Sequence, residues 1–217
     1  MSYETFRQWK NSQNNRRPYL SVVIPVVNQA EEIVPTLGAV ISQVCDVCSY
    51  WELIVVDGGS NDGTVELVLS LALPNVSVIH AGRDSSVADR LRKGVMAARG
   101  HYILTTEPKN LAPIEELGRL LPLLERGAYD IALGEKDSRH TRKVSSGRLS
   151  LWERLQARNS NNNSTTLMLF RHDAAKPIFL EMPSPVDNPV KEICQIADKY
   201  QYKVSRVPVK FAGVKPQ

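Results

Sequence analysis

Asp57-Gly-Gly-Ser-Asn-Asp62-Gly63 is the stretch of this chain whose residue types and spacing point most directly to chemistry. It follows Trp51-Glu-Leu-Ile-Val-Val56, an apolar, β-branched run that reads as a buried strand, so Asp57 would stand at that strand's carboxyl end. A carboxylate there can accept hydrogen bonds from a base N–H or a ribose hydroxyl. Gly58, Gly59 and Gly63 permit a sharp turn and let a ligand approach the backbone. Asp62 is placed to cap a following helix. The same residues also make an ordinary turn with a cap, which needs no ligand. Two further strand ends carry notable residues, Pro25 to Gln29 and Thr105 to Asn110. In open α/β sheets ligands bind beyond the carboxyl ends of the strands, near the point where strand order reverses, so the three ends would border one crevice.

The elements that must bring them together are legible as alternating patterns. Leu20 to Val27 is nearly continuously apolar, as a strand buried on both faces requires. Asn28 with Glu31 three residues on has capping-box spacing, and a helix is expected over Glu31 to Val44 with Pro35 in its early turns. After the strand Trp51 to Val56 come a helix (Thr64 to Leu73), a strand (Val76 to Ala81), a helix (Ser86 to Ala98) and a strand (Tyr102 to Thr106). This alternation predicts right-handed βαβ crossovers and a doubly wound, mostly parallel sheet in a three-layer α/β/α sandwich. Beyond Glu107 the rhythm loosens: a helix (Pro113 to Glu125), a short strand (Asp130 to Gly134), a basic, partly helical stretch, a strand (Thr165 to Phe170), a helix (Val190 to Tyr200) and a strand (Tyr202 to Phe211). The organisation expected is a polar, flexible arm over 1–18 and one domain over 19–217, its half 19–110 holding a nucleotide and its half 111–217 facing something else.

Bulk composition narrows the classes. The chain has 217 residues, 42% hydrophobic and 23% charged, an ordinary globular balance. Its net charge of +4 is concentrated between Arg139 and Arg158, where Glu153 is the only acid. That run reads as a solvated basic loop or as a surface for phosphate. Aromatic residues are only 6%, which leaves few stacking platforms and argues against nucleic acid. No apolar run approaches the roughly 20 residues that span a bilayer. The three cysteines include Cys45-Asp-Val-Cys48, but no second pair or histidine cluster completes a zinc site, and the pair follows a helix where redox pairs open one. Incidental thiols in a reducing, cytoplasmic setting are the expectation. The glycine turn is not G-x-G-x-x-G and follows the second strand rather than the first, which excludes an ordinary dinucleotide-binding dehydrogenase.

Ser21-Val-Val-Ile-Pro-Val-Val-Asn28 with Val55-Val-Asp-Gly-Gly-Ser-Asn-Asp-Gly-Thr64 resembles the opening of the family-2 glycosyltransferases of GT-A fold. Leu91-Arg-Lys-Gly94, Ala97-Ala-Arg-Gly100 and Gly127 to Gly134 continue the likeness. The ending, Leu169-Phe-Arg171 and Tyr202 to Val209, is most similar to the polyprenyl-phosphate sugar transferase branch. The resemblance spans about residues 19 to 211. It implies transfer of a sugar from a nucleoside diphosphate carrier with inversion at the anomeric carbon, and a nucleoside pocket lined by Pro25, Val27, Gln29, Asp57 and Gly59. Val27 stands where the family commonly has Tyr, and Gln29 where it has Glu.

The family's Asp-x-Asp, which holds Mg²⁺ or Mn²⁺ on the diphosphate, corresponds to Glu107-Pro-Lys109. Hard divalent ions take oxygen ligands, and an ammonium repels them. The expectation is therefore no metal site, with Glu107 and Lys109 as the catalytic pair and Lys109 a fixed cation for the departing diphosphate. Other departures are Asp84-Ser-Ser-Val-Ala-Asp89 after the third strand, Asn162 for an Asp and Met168 for a basic residue; Glu192 matches a carboxylate of the branch. Asp137, Asp173 and Asp187 are the candidate general bases. A lipid phosphate would need none, being largely ionised near neutrality with a second pKa of roughly 6. Arg139, Arg142, Arg148 and Glu192 would then face the acceptor, with Leu149, Leu151, Trp152 and Leu155 either core or membrane-facing. The expected partners are a nucleotide sugar, a lipid-phosphate acceptor or peripheral membrane face, and a second copy of the chain. The competing reading is an inactive nucleotide-sugar-binding or regulatory protein.

Overall fold

The computed structural model describes residues 17–106, 114–136, 167–186 and 188–209. Seven strands form one sheet: β1 (Leu20–Val26), β2 (Trp51–Asp57), β3 (Val76–His80), β4 (Tyr102–Thr105), β5 (Ile131–Lys136), β6 (Leu167–Arg171) and β7 (Val204–Val209). Their order is β3-β2-β1-β4-β6-β5-β7. β6 runs antiparallel to both neighbours, and every other pairing is parallel. The strand order reverses at β1, between β2 and β4, so the expected crevice falls at the carboxyl ends of these three strands.

Among the described residues six α-helices cover the faces: α1 (Ala30–Val47), α2 (Thr64–Ser70), α3 (Val87–Ala97), α4 (Leu117–Glu125), α5 (His172–Glu181) and α6 (Pro189–Lys199). Alternate strand residues feed two cores. Val22, Ile24, Leu53, Val55 and Leu104 pack with α1 and α4, through Ile33, Leu37, Val40, Leu117, Leu120 and Leu124. Val23, Ile54, Val56, Ile103 and Phe170 pack with α3, α5 and α6, through Leu91, Val95, Ile178, Phe179 and Ile193. The three-layer α/β/α sandwich follows from that period-two division. Gly94 lets α3 lie close on the sheet, because a Cβ there would fall 2.3 Å from Val23 Cγ1 and 2.8 Å from Val56 Cγ2.

Several expectations are corrected. Asn28 does not cap α1: its φ is +50°, Gln29 takes the cap position, and neither makes a capping box. A box does form at α3, between Ser86 and Asp89. The helix α5 was not expected, since Pro177 and a strand directly before it obscure its period. A 3₁₀ turn, Ile114–Glu116, precedes α4. Arg17 and Pro18, assigned above to the arm, are tied to the body: the Arg17 guanidinium donates to Arg99 O, and Pro18 O accepts the His101 amide. Cys45 and Cys48 are free thiols at the end of α1, and burial, with Cys45 nearby, pushes Cys48 up to about 11, away from reactivity.

Candidate active site at the carboxyl edge of the sheet

Asp57, the last residue of β2, is 2% exposed. Its carboxylate folds onto its own turn, accepting the Gly59 amide at Oδ2 and the Ser60 amide at Oδ1, each at 3.0 Å. His80, ending β3, brings Nδ1 to 3.3 Å from Oδ2. Burial, the largest single influence, pushes the Asp57 pKa up. The Ser60 hydroxyl and amide, the Gly59 amide and His80 outweigh it and hold the carboxyl below its ordinary value. Gly59 turns the chain with φ +94°, where a side chain would be strained.

Beyond the backbone bond from the Gly58 amide to Val26 O at 2.9 Å, side chains join the exits of β1 and β2. The Asn28 amide donates to Ser60 Oγ, and Asn28 Oδ1 accepts the Asn61 amide, both at 2.9 Å. The Gln29 amide donates to Thr64 Oγ1 at 2.8 Å. The Ala30 amide donates to Asp62 Oδ2 at 2.9 Å, while Asp62 Oδ1 takes the Thr64 amide at 3.0 Å. Asp62 therefore serves the first turns of both α1 and α2, one more helix than its spacing suggested. Pro25 is buried within β1 opposite Val56, and Val27 is half-buried just beyond. Gln29 is buried with its carboxamide oxygen lacking a protein partner, a costly state that a ligand donor or water would relieve. The structure thus groups Pro25, Val27, Gln29, Asp57 and Gly59 around two adjoining strand exits.

Two side chains that the sequence reading missed complete this edge. A Cβ on Gly58 would lie 2.5 Å from Val27 Cγ2 and 2.7 Å from an Arg90 guanidinium nitrogen. One on Gly59 would lie 2.6 Å from Arg83 Cγ. The glycine pair makes room for two arginines from the β3–α3 connection and the first turns of α3. Glycine signals close approach, but nothing local in the sequence says which residues, some thirty positions on, will approach.

At the exit of β4, Thr105 and Thr106 are buried, and the Thr106 amide donates to Val23 O at 3.2 Å. Met168 is buried in β6 opposite Thr105. Glu107 and Lys109 come next in the chain and lie outside the described residues, as do Arg139, Arg142, Arg148, Asp137, Asp187 and Asn162. Glu192 is half-buried in the first turn of α6, whose far end leads to the start of β7; since β7 is parallel to β5, this first turn lies toward the carboxyl edge. Asp173 is removed as a candidate base. β6 runs backwards, its end Arg171 pairs with Tyr102 at the start of β4, and Asp173 is therefore a strand length from the site.

Among the described residues no group of three His, Cys, Asp or Glu side chains could hold a metal ion. Two clefts, of about 260 and 340 Å³, open at the opposite edge beside Glu52–Arg99 and beside Arg17–Arg171. The buried Asp57 carboxylate, the Gln29 oxygen without a protein partner and the glycine turn all lie at the carboxyl edge instead. No helix of the described residues is long and apolar enough to cross a membrane.

Comparison with known proteins agrees with this fold. Over 90 residues the chain is 33% identical to a PGL/p-HBAD biosynthesis glycosyltransferase of Mycobacterium bovis, covering 40% of this chain and 34% of that one. Over 115 residues it is 29% identical to the undecaprenyl-phosphate 4-deoxy-4-formamido-L-arabinose transferase of Pectobacterium atrosepticum, covering 52% and 35%. These matched regions thus take in about a third of the curated relatives' length. The fold is shared with a mannosyltransferase of Pyrobaculum calidifontis solved with GDP-Man and Mn²⁺ (TM-score 0.62, 17% identity, 96% and 64% covered). It is also shared with the Mycobacterium tuberculosis glucosyl-3-phosphoglycerate synthase solved with Mn²⁺, UDP and glucosyl-3-phosphoglycerate (TM-score 0.61, 12% identity, 100% and 78% covered). The model of glycosyl transferase family 2 matches residues 21–182, three quarters of the sequence, and the chain belongs to that family.

Proposed function

We propose that this protein transfers a sugar from a nucleoside diphosphate carrier to a lipid phosphate, with inversion at the anomeric carbon. The observation that carries the reading is the buried Asp57 carboxylate at the switch point of strand order, beside the unpartnered Gln29 oxygen. Gln29 would accept from a donor N–H or hydroxyl of the nucleoside, Asp57 and Gly59 would shape the turn beneath it, and Pro25 and Val27 would supply the apolar wall. The name of the undecaprenyl-phosphate relative supports the acceptor class.

In this reaction an acceptor phosphate oxygen attacks C1 of the sugar while the bond from C1 to the diphosphate oxygen breaks, and the electron pair leaves with the nucleoside diphosphate. The acceptor phosphate is already anionic, so no protein base need take a proton. The charge that develops on the leaving diphosphate is the part that requires help. Glu107-Pro-Lys109 offers one carboxylate and one ammonium, a donor set that does not fit a divalent ion, and Lys109 would meet the diphosphate as a fixed cation with Glu107 beside it. Arg139, Arg142 and Arg148 would attract acceptor phosphate or anionic headgroups, at about 1 kcal/mol per residue near such a surface. Incubation with nucleotide sugars should release nucleoside diphosphate only when a polyprenyl phosphate is added. Release with no acceptor requirement would overturn the acceptor assignment.

A second reading, a binding or regulatory protein without turnover, is favoured by one observation: Asp57 already spends its carboxylate on its own turn. Nucleotide-sugar binding with no release under any acceptor would establish it.

A further inference from the structure

The amino edge of the sheet, opposite Asp57, holds a cleft of about 340 Å³ whose walls come from three distant parts of the chain. Arg17 and Tyr19 precede β1, His101 and Tyr102 lie at the start of β4, and Arg171, His172 and Asp173 form the junction of β6 with α5. The reversal of β6 brings that junction here, whereas α1, α2 and α3 follow parallel strands and begin at the carboxyl edge. Tyr19 and Tyr102 meet edge to face, with ring centres 5.2 Å apart, and give the cleft an aromatic wall.

The two guanidiniums are held from behind by backbone oxygens. Arg17 Nε donates to Arg99 O at 2.9 Å, and Arg171 Nη1 donates to Leu124 O at 3.0 Å. Arg92, Arg119 and Arg206 each meet a carboxylate, but among the described residues Arg17 and Arg171 meet none. An arginine carries five N–H donors, so each keeps donors for a further partner. Other acids of this edge are engaged: Glu125 accepts the Tyr19 hydroxyl and Glu52 pairs with Arg99, which leaves Asp173 as the acid of the lining.

His172 senses the local potential. Its Nδ1 donates to Gly100 O at 2.8 Å. Burial, the largest influence, and the charges of Arg17 and Lys176 hold its pKa below the ordinary value, against the Gly100 bond and Asp173. Charges that disfavour an imidazolium at this place favour an anion. Guanidiniums suit a phosphoryl group, because each fork can donate two parallel hydrogen bonds to its oxygens, and a cleft of this size holds more than that group alone.

We propose that the amino-edge cleft binds a small phosphorylated solute, with the phosphoryl group on Arg17 and Arg171 and the rest of the molecule against Tyr102. The site lies a strand length from Asp57 and does not rest on the nucleotide reading above.

Imidazole NMR signals of the intact protein test this, because His101 and His172 line the cleft and His80 stands at the other edge. Inorganic phosphate and glycerol phosphate are titrated at constant ionic strength into the wild type, Arg171→Gln, Arg171→Lys and Asp173→Asn, each checked for folding by circular dichroism. His101 and His172 should shift saturably, with glycerol phosphate binding the tighter of the two. Arg171→Gln should weaken binding about ten- to hundredfold, the scale of one or two charge-assisted hydrogen bonds, and Arg171→Lys should recover part of the loss. Asp173→Asn should strengthen binding about two- to fivefold, the scale of an exposed charge pair. No saturable shift, shifts that sodium chloride reproduces, or unchanged affinity in Arg171→Gln would overturn the proposal. If loss of the bond to Leu124 O unfolds Arg171→Gln, Asp173→Asn decides alone, and unchanged or weaker binding there would overturn it. Sedimentation of the wild type but not Arg171→Gln with phosphatidic acid vesicles, with no response to either soluble phosphate, would replace the solute by a lipid headgroup.

Discussion

Asp57 Oδ1 accepts the backbone amide of Ser60 at 3.0 Å, so the carboxylate expected to bind a nucleoside is first a member of its own turn. With the Gly59 amide on Oδ2, both oxygens of this buried side chain are engaged. Replacing Asp57 with Asn leaves one amide facing an NH₂ group, and the variant should be less stable by about 1–3 kcal/mol at neutral pH. A urea unfolding curve measures this directly.

The same geometry sets a pH dependence. The folded pKa of Asp57 is depressed, so its stabilising contribution is complete above the unfolded value of about 3.9 and is lost as pH falls through the lower folded value. Wild type and Asp57→Asn should therefore converge in stability as the solution is taken below about pH 4. A constant difference across that range would assign the stabilisation to shape rather than charge.

Close packing of α3 gives a prediction independent of ligand. A methyl group at Gly94 would collide with Val23 and Val56, neither of which can withdraw from a filled core. Gly94→Ala should cost about 1–3 kcal/mol by overpacking, read as a lower urea midpoint at an unchanged slope.

Lys109 carries the catalytic expectation. Lys109→Ala should abolish acceptor-dependent release of nucleoside diphosphate, and added Mn²⁺ should not restore it. Unchanged turnover in that variant would refute the role assigned to it. A gain of Mn²⁺-dependent activity in Lys109→Asp would be consistent with the family geometry having been altered at this position alone.

The fold was largely legible because burial on both faces forces continuous apolar strands, and Leu20–Val26 and Trp51–Asp57 match their expected runs to within a residue. Harder to read were features decided by distant contacts. Asn28 looked like a cap but is drawn into a left-handed conformation by bonds to Ser60 and Asn61, more than thirty residues away. The helix His172–Glu181 begins immediately after a strand with no connecting turn residues, so no punctuation announces it. Within the site, Asp57 and its glycines were visible as a strand-end motif. Arg83, Arg90 and His80 were not, because an arginine near a helix start has the same local pattern whether it faces solvent or a ligand. Asp173 failed for a topological reason: the reversal of β6, invisible in its own residues, carries it to the other edge.

The proposed function requires that the carboxyl edge around Asp57 bind a nucleotide sugar. The most direct measurement is thermal unfolding of the protein with UDP-, GDP- and TDP-sugars, each with and without Mn²⁺. At 100 times its dissociation constant the right donor should stabilise the fold by about 2.7 kcal/mol, to the same extent with or without the ion. Stabilisation by none of them would contradict the account, and stabilisation that appears only with Mn²⁺ would contradict its metal-independent chemistry.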